Sequence, residues 1–385
     1  MPPAGRMKTD VLIIGGGLAG AATAYFLARE GVDVLVVDRF EFNTQASGSN
    51  SGSLHIQIPH DMFLLEGEEW AHAFAPVIPL LIESTKLWAA IGQDIDADLG
   101  IRITGGLLVA RTGQQMQDIR RKAAIERQHG ASIELVGRRD IQSLAPYLAE
   151  DAIGGAFCPD EGSADPLQAT SGLAAAAIGH GARAMQCTEI LDLEAVAGGF
   201  VAATPSGSIH ARRVVNCAGA GAGNVAGMLG VRLPVEGHPI QVSVTERAQP
   251  LVSHLVYAAE DRLTLKQMKN GTVIIGGGWS STWRRGDGRL AVNLRSLRDN
   301  LRIALGVVPA LAGIHLVRSW PAVVNGTADW MPILGEIPGH AGFYMNMFPW
   351  MGFTGGPIAA MTVADQLLGR SNRAGMRQFS ASRYG

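Results

Sequence analysis

The 385-residue chain is predicted to be an α/β protein (α+β overall), with a Rossmann-like dinucleotide-binding domain interleaved with a mostly antiparallel-sheet domain. Three observations carry this prediction. Thr9 to Asp38 (TDVLIIGGGLAGAATAYFLAREGVDVLVVD) reads as strand, glycine turn, helix and strand. From Val231 to Trp320 the texture becomes one of alternating strands. Beyond Trp320 the glycine-rich α/β character returns. The expected nucleotide-binding domain is therefore discontinuous, over 1–90, 150–230 and 321–385, with 91–149 and 231–320 expected to form a substrate/interaction domain.

In the first unit, Val11 to Ile14 breaks into a G-x-G-x-x-G turn at Gly15, Gly17 and Gly20. Gly15 permits a tight exit from the strand, Gly17 lets the backbone approach a diphosphate, and Gly20 brings the helix close to the sheet. The positive end of the helix dipole favours an anion there. Asp38 ends the second strand, where a carboxylate can accept hydrogen bonds from a ribose diol. This unit specifies a dinucleotide without separating FAD from NAD.

Composition narrows the class. Net charge is −2 with no long basic run, which argues against nucleic acid. Cys158, Cys187 and Cys217 are scattered without a CxxC pair, so a disulfide framework, a zinc site or an iron–sulfur cluster within the chain is not expected. A reducing, cytoplasmic setting fits, and neither a transmembrane helix nor a signal peptide is expected.

In order, a Ser-, Asn- and Gly-rich stretch follows Asp38, and Leu54 to Ile58 alternates as a short strand with His55 and Gln57 on one side. Leu64 to Ala90 reads as helix, and Ile101 to Ala110 as a strand pair broken at Gly105-Gly106. Gln114 to Gly130 reads as a charged helix whose solvated face carries Gln115, Asp118, Arg121 and Arg127. Asp160 to Pro166 is turn chemistry, and Pro166 opens a helix to His180. A hairpin turns at Gly198-Gly199, and Ala211 to Ala220 is a buried strand entering a second glycine turn. Leu290 to Leu305 is an amphipathic helix; Gly276 to Gly278 precedes no apolar helix and reads as a plain turn. Phe343 to Phe348 is a strand, and Gly355-Gly356-Pro357 opens the last helix.

Several blocks in this order resemble the D-amino acid oxidase-like family of FAD-dependent amine and amino acid oxidoreductases: GGGLAG, ASGSNSGSLH, EGSADPLQ, RRVVNCAGAGAGNVAGMLG, KNGTVIIGGG, NGTADWMPILG and FPWMGFTGGP. Within it, SGSLHIQ, LTLKQMKNGTVIIGGG and FPWMGFTGGP look most like the β subunits of opine oxidases and the heteromeric hydroxyproline and proline dehydrogenases, with the flavin subunit of hydrogen cyanide synthase also near.

The resemblance implies non-covalent FAD. It implies contacts from Gly15, Gly17, Leu18, Ala19, Gly20, Asp38 and Arg39, and from Ser47, Gly48, Ser49, Asn50, Gly52, Ser53 and Leu54 beneath the flavin. Ala218 and Gly219, and the helix start at Gly352, Phe353, Thr354 and Gly355, complete the set. It also implies hydride transfer from a carbon next to nitrogen, with His55, His238 and Lys266 as candidate catalytic groups. Tyr257, Gln267, Trp279, Asn325 and Trp350 are candidate substrate contacts.

The departures matter as much. Val323 to Thr327 lacks the family arginine for a substrate carboxylate, for which Arg262, Lys266 or Asn325 could substitute. Ala322 stands where some relatives link flavin to cysteine, Ile274 where some place an oxygen-activating lysine, and Asp165 near a histidine that carries FMN elsewhere. The favoured expectation is the catalytic subunit of a heteromeric dehydrogenase. It would work with a second flavoprotein subunit, a small iron–sulfur subunit and an additional FMN at a subunit interface. The alternatives are a stand-alone, peroxide-producing glycine, sarcosine or D-amino acid oxidase, or a non-catalytic flavoprotein assembly subunit.

Overall fold

The computed structural model describes residues 5–370 and 376–384. The first sheet is centred on Gly5–Ile14, which pairs in parallel with Val34–Val37 on one side and Gly207–Asn216 on the other. Arg183–Met185 extends it beyond Val34–Val37, and Phe343–Met347 joins Gly207–Asn216 in parallel. Val11 to Ile13 and Val34 to Val37 are essentially inaccessible to solvent, as parallel strands covered on both faces must be. Helices Leu18–Ala28, Pro166–Gly179 and Gly352–Leu367 supply one cover and share its apolar core. The last helix thus packs against the first, although they lie at opposite ends of the sequence.

The second sheet runs Leu316–Thr327, Val235–Arg247, Thr272–Gly276, Thr264–Gln267, Leu255–Ala258, Gly106–Ala110, Gly154–Cys158, Glu134–Gly137. Among the described residues its only parallel pair joins Leu255–Ala258 to Gly106–Ala110. Gly154–Cys158, expected in the nucleotide-binding domain, is an internal strand of this sheet, and Leu316–Thr327 runs through the expected boundary at 321. Helix Leu294–Val307 covers one face through Ile303, Ala304 and Val307.

Four local expectations differ from the structure. Only Ser53–Leu54 forms a strand in the 54–58 segment. The Ile56 and Gln57 N–H groups donate to the Glu161 carboxylate, and the Ile58 N–H donates to Glu126. Two buried carboxylates thereby occupy donors that a neighbouring strand would need. Helix Gly113–Gln128 does not present the whole expected polar face to water. Asp118 is buried, Gln115 closes a capping box with Thr112, and the i,i+4 pair Lys122–Glu126 is fully enclosed. The spacing lets the two charges neutralise each other at 2.5 Å.

The 64–90 segment is two helices, His60–Phe74 and Ile78–Asp94, joined by a short 3₁₀ turn and interrupted at Gly67, whose φ is 85°. Among the described residues this continuous stretch is the one long and apolar enough to cross a membrane, and 56% of its most apolar window is buried inside the protein. Finally, the last helix starts at Gly352 rather than Gly355 and contains Pro357. Trp350, at φ 53°, turns the chain sharply just before it.

Candidate active site

Two cavities lie between the sheets. The first, about 480 Å³, is lined by Gly15, Gly17, Asp38, Arg39, Ser47, Ala218 and Gly219, among others. The second, about 140 Å³, is lined on one side by Asn50, Ser53, His55 and Thr354, and on the other by Tyr257, Thr264, Gly276 to Gly278 and Trp350. Val323 lines the first and Val324 the second, and Ser47 is three residues from Asn50. The two therefore adjoin along one strand and one loop, and together they are called the trough.

The glycine turn is tightly built. Gly15 has φ 116°, and a β-carbon there would overlap the Cys217 carbonyl. A β-carbon on Gly20 would overlap the Gly15 carbonyl, so the helix can start directly on the turn. Asp38 accepts from the Gly16 N–H at 2.6 Å and the Phe40 N–H at 2.8 Å, which aims its carboxylate across the turn. No side chain caps the helix at Gly17; the Ser47 hydroxyl accepts the Leu18 N–H at 2.9 Å and ties the 46–50 loop to the turn. Trp320 Nε1 then donates to the Ser49 carbonyl, and Asn50 bonds within its own loop.

Thr354 joins the ends of the chain. Its hydroxyl accepts the His55 N–H at 2.8 Å and donates to the Ser53 carbonyl at 3.3 Å. Its carbonyl accepts from Ser84 Oγ and Trp88 Nε1. The start of the last helix is thereby held against the Ser53–His55 segment and the buried helix beneath it.

His55 Nδ1 lies 2.8 Å from the Tyr257 hydroxyl, which donates to Glu161 Oε2 at 3.0 Å. Burial lowers the His55 pKa to about 3, with the Lys266 charge a second cause. Burial raises the Glu161 and Tyr257 pKa values. Lys266 is 3% exposed and donates to Ser53 Oγ at 2.7 Å; burial lowers its pKa to about 7. Lys266 is the cross-strand partner of Ile274, so a lysine stands on the same sheet face one strand away from the position predicted to lack it.

The other expected contacts separate. Tyr257 and Trp350 line the trough. Gln267 is structural: its side chain binds the Leu251 and Val252 N–H groups and the carbonyls of Ala248, Gln249 and Gly271. Trp279 Nε1 donates to the Arg262 carbonyl, and its ring packs on the core of the second sheet. The Asn325 carbonyl accepts the Trp350 N–H. His238 stacks on Trp330, with centroids 5.0 Å apart, and is not among the lining residues. Asp165, near the expected FMN-linkage position, instead caps helix Pro166–Gly179.

Sequence reasoning did not single out Glu161 or Lys122, and both have a signal in hindsight. Glu161 opens the EGSADPLQ block, and Lys122 and Glu126 are four apart on one helix face. Arg262 lines the trough, paired with Asp61 at 3.1 Å.

One end of the trough is shaped for a diphosphate and ribose and the other is closed around ionisable groups, which places the protein among dinucleotide-dependent redox enzymes. The chain belongs to the family of FAD dependent oxidoreductases (DAO), whose model matches residues 10–366. It is 26% identical over 386 residues to glycine oxidase of Geobacillus kaustophilus, covering 98% of this chain and 97% of that one. It is likewise 26% identical to an opine oxidase subunit of Rhizobium meliloti, covering 98% of each chain. The crystal structure of the Geobacillus kaustophilus glycine oxidase superposes with TM-score 0.88 and 25% identity, over 98% of this chain and 99% of that one. The L-proline dehydrogenase from P. horikoshii superposes with TM-score 0.86 at 21% identity, covering 98% of each chain, a likeness of fold.

An elongated dinucleotide fits this trough. Its first cavity is lined by glycine backbone with no room for a β-carbon at Gly15 and by an oriented carboxylate at Asp38.

Proposed function

We propose that this chain oxidises the C–N bond of an opine- or imino-acid-like secondary amino acid, as the catalytic FAD subunit of a heteromeric dehydrogenase. The observation that carries this reading is the hydrogen-bonded His55–Tyr257 pair lining the second cavity, with Lys266 behind it on Ser53. Similarity to the opine oxidase subunit over nearly the whole of both chains supports the substrate class and the heteromeric assembly.

Gly15, Gly17 and Asp38 would hold the diphosphate and ribose, and Ser47 to Leu54 with Gly352 to Gly355 the isoalloxazine. FAD supplies a two-electron acceptor for the hydride of the carbon next to nitrogen. The protein does the rest. Trp350 and Tyr257 wall the cavity and orient the substrate. Arg262 holds the substrate carboxylate, exchanging its Asp61 partner for it; Lys266 is bonded to Ser53 Oγ, and Asn325 is not among the residues lining either cavity. His55 takes the proton that leaves the substrate nitrogen. Partner subunits, a second flavoprotein and a small iron–sulfur protein, would take the electrons on, with FMN at the interface between flavoproteins.

A second reading has an observation of its own. Lys266 is the cross-strand partner of Ile274, the position at which some relatives are expected to carry an oxygen-activating lysine, and the Geobacillus kaustophilus relative is a glycine oxidase. A stand-alone oxidase would release peroxide. The test is an anaerobic screen of opines, proline, hydroxyproline, sarcosine and glycine, followed as flavin bleaching, and then re-oxidation in air. Bleaching by opines or imino acids with slow re-oxidation is expected. Stoichiometric peroxide from the isolated chain would favour the oxidase, and no bleaching by any amine would overturn both.

A further inference from the structure

We propose that Glu161 is a positioning residue: through the Tyr257 hydroxyl it fixes the His55 tautomer, so that Nε2 faces the cavity as acceptor for the substrate ammonium proton. This rests on the reading of the cavity as an amine-oxidising site.

Hydrogen-bond arithmetic carries it. Glu161 Oε1 accepts the Ile56 and Gln57 N–H groups at 2.5 and 2.7 Å. Oε2 accepts Gln57 Nε2 and the Tyr257 hydroxyl, each at 3.0 Å. Four donors converge on one carboxyl that is wholly inaccessible to solvent. Those donors satisfy an ionised carboxylate and leave no acceptor for a carboxylic proton. Tyr257 has one hydrogen, and Glu161 takes it. The Tyr257 oxygen can then only accept from His55 Nδ1 at 2.8 Å, so the hydrogen of the neutral ring sits on Nδ1. Nε2 is left bare on a ring that lines the cavity.

The arrangement is also a backbone device. Two of the donors to Glu161 belong to the residues after His55, so one carboxylate sets both the path of the chain and the tautomer of the ring. Gly106 makes room for it, since a β-carbon there would overlap Glu161 Oε2.

In the step, the N–H bond of the substrate ammonium breaks and an Nε2–H bond forms. The nitrogen lone pair is freed for loss of hydride from the adjacent carbon. The imidazolium charge is held against Glu161 through Tyr257, which opposes the burial and the Lys266 charge that lower the pKa of the ring in the empty cavity. The other charged and titratable groups around His55 are Lys266 behind Ser53 and, along the cavity, His60, Asp61, Lys122, Asp261 and Arg262.

Glu161→Gln tests the relay. The amide keeps an acceptor for the backbone N–H groups but turns a donor toward Tyr257. Tyr257 must then donate to His55 Nδ1, and the ring proton moves to Nε2. With ¹⁵N-histidine-labelled holoenzyme, and the His55 signals assigned by their loss in His55→Asn, the wild type should show Nδ1–H and Glu161→Gln should show Nε2–H. Anaerobic flavin reduction at neutral pH should fall at least about 100-fold. It should recover toward wild type near pH 10, where the substrate amine is already free. A merely structural defect would not recover. Tyr257→Phe leaves the backbone bonds of Glu161 intact and should lose rate with the same pH dependence. Nε2–H in the wild type overturns the proposal without any variant. So does an unchanged tautomer in Glu161→Gln, or a neutral-pH rate in either variant within threefold of wild type. The NMR readout needs no turnover, so failure of the relay and failure to find an amine substrate remain separate results.

Discussion

Replacing Lys266 with methionine should stabilise the protein, by an amount that depends on pH. The ammonium is buried with the neutral Ser53 hydroxyl as its hydrogen-bond partner. Burial brings its pKa from 10.5 to about 7. At about 1.36 kcal/mol per pH unit, that difference corresponds to roughly 5 kcal/mol. The sign follows from which state holds the proton. Below pH 7 both folded and unfolded chains carry the charge, and the burial penalty is fully present. Between pH 7 and 10.5 the unfolded chain binds a proton that the folded chain does not, so wild-type stability rises with pH. Above 10.5 the penalty is gone. Methionine matches the length of the side chain, removes the penalty and loses the Ser53 bond, a loss of about 1 kcal/mol. Lys266→Met should therefore be more stable by roughly 4 kcal/mol near pH 6 to 7 and no more stable than wild type near pH 10. Urea unfolding of both proteins across that range, at constant ionic strength, measures it. A difference that does not change with pH, or that grows as pH rises, would refute the reasoning.

Three further outcomes follow from the geometry. Gly15→Ala meets both the positive φ and the Cys217 carbonyl, and should abolish flavin retention on gel filtration; retained stoichiometric flavin would contradict the turn's role. Thr354→Val removes the partner of the His55 N–H in a fully buried setting. It should lower stability by about 1–3 kcal/mol and weaken flavin binding, read by calorimetry and fluorescence titration. Arg262→Met should raise KM for a carboxylate-bearing amine about tenfold or more, as expected for loss of a charge-assisted bond, with kcat within a few-fold; an unchanged KM removes Arg262 from the site.

Much of this was legible from residues close together in the chain. The glycine turn, the strand ending at Asp38 and the start of helix Pro166–Gly179 follow from local rules, because each glycine, cap or apolar run acts on its immediate neighbours. The same rules failed where distant partners decided. Leu54 to Ile58 alternates like a strand, yet its N–H groups are taken by Glu161 and Glu126, more than sixty residues away in the chain. Asp118 reads as a surface charge, yet it is buried, because nothing in the helix itself says that another segment will cover it. Gln267 and His238 alternate correctly in their strands, but the loops and aromatic rings that claim them come from elsewhere.

Local sequence alone is enough to specify that this protein holds a dinucleotide. A phosphate-binding turn is a contract among about thirty consecutive residues, and a single βαβ unit satisfies it. The reactive end of the trough exists only once the chain is folded. Thr354 must meet Ser53 and His55 from some three hundred residues away. Tyr257 must arrive from one strand and Glu161 from a turn before a histidine in an irregular segment acquires a defined proton. Hydrogen-bond direction depends on every partner being present at once, and that condition exists only in the folded chain.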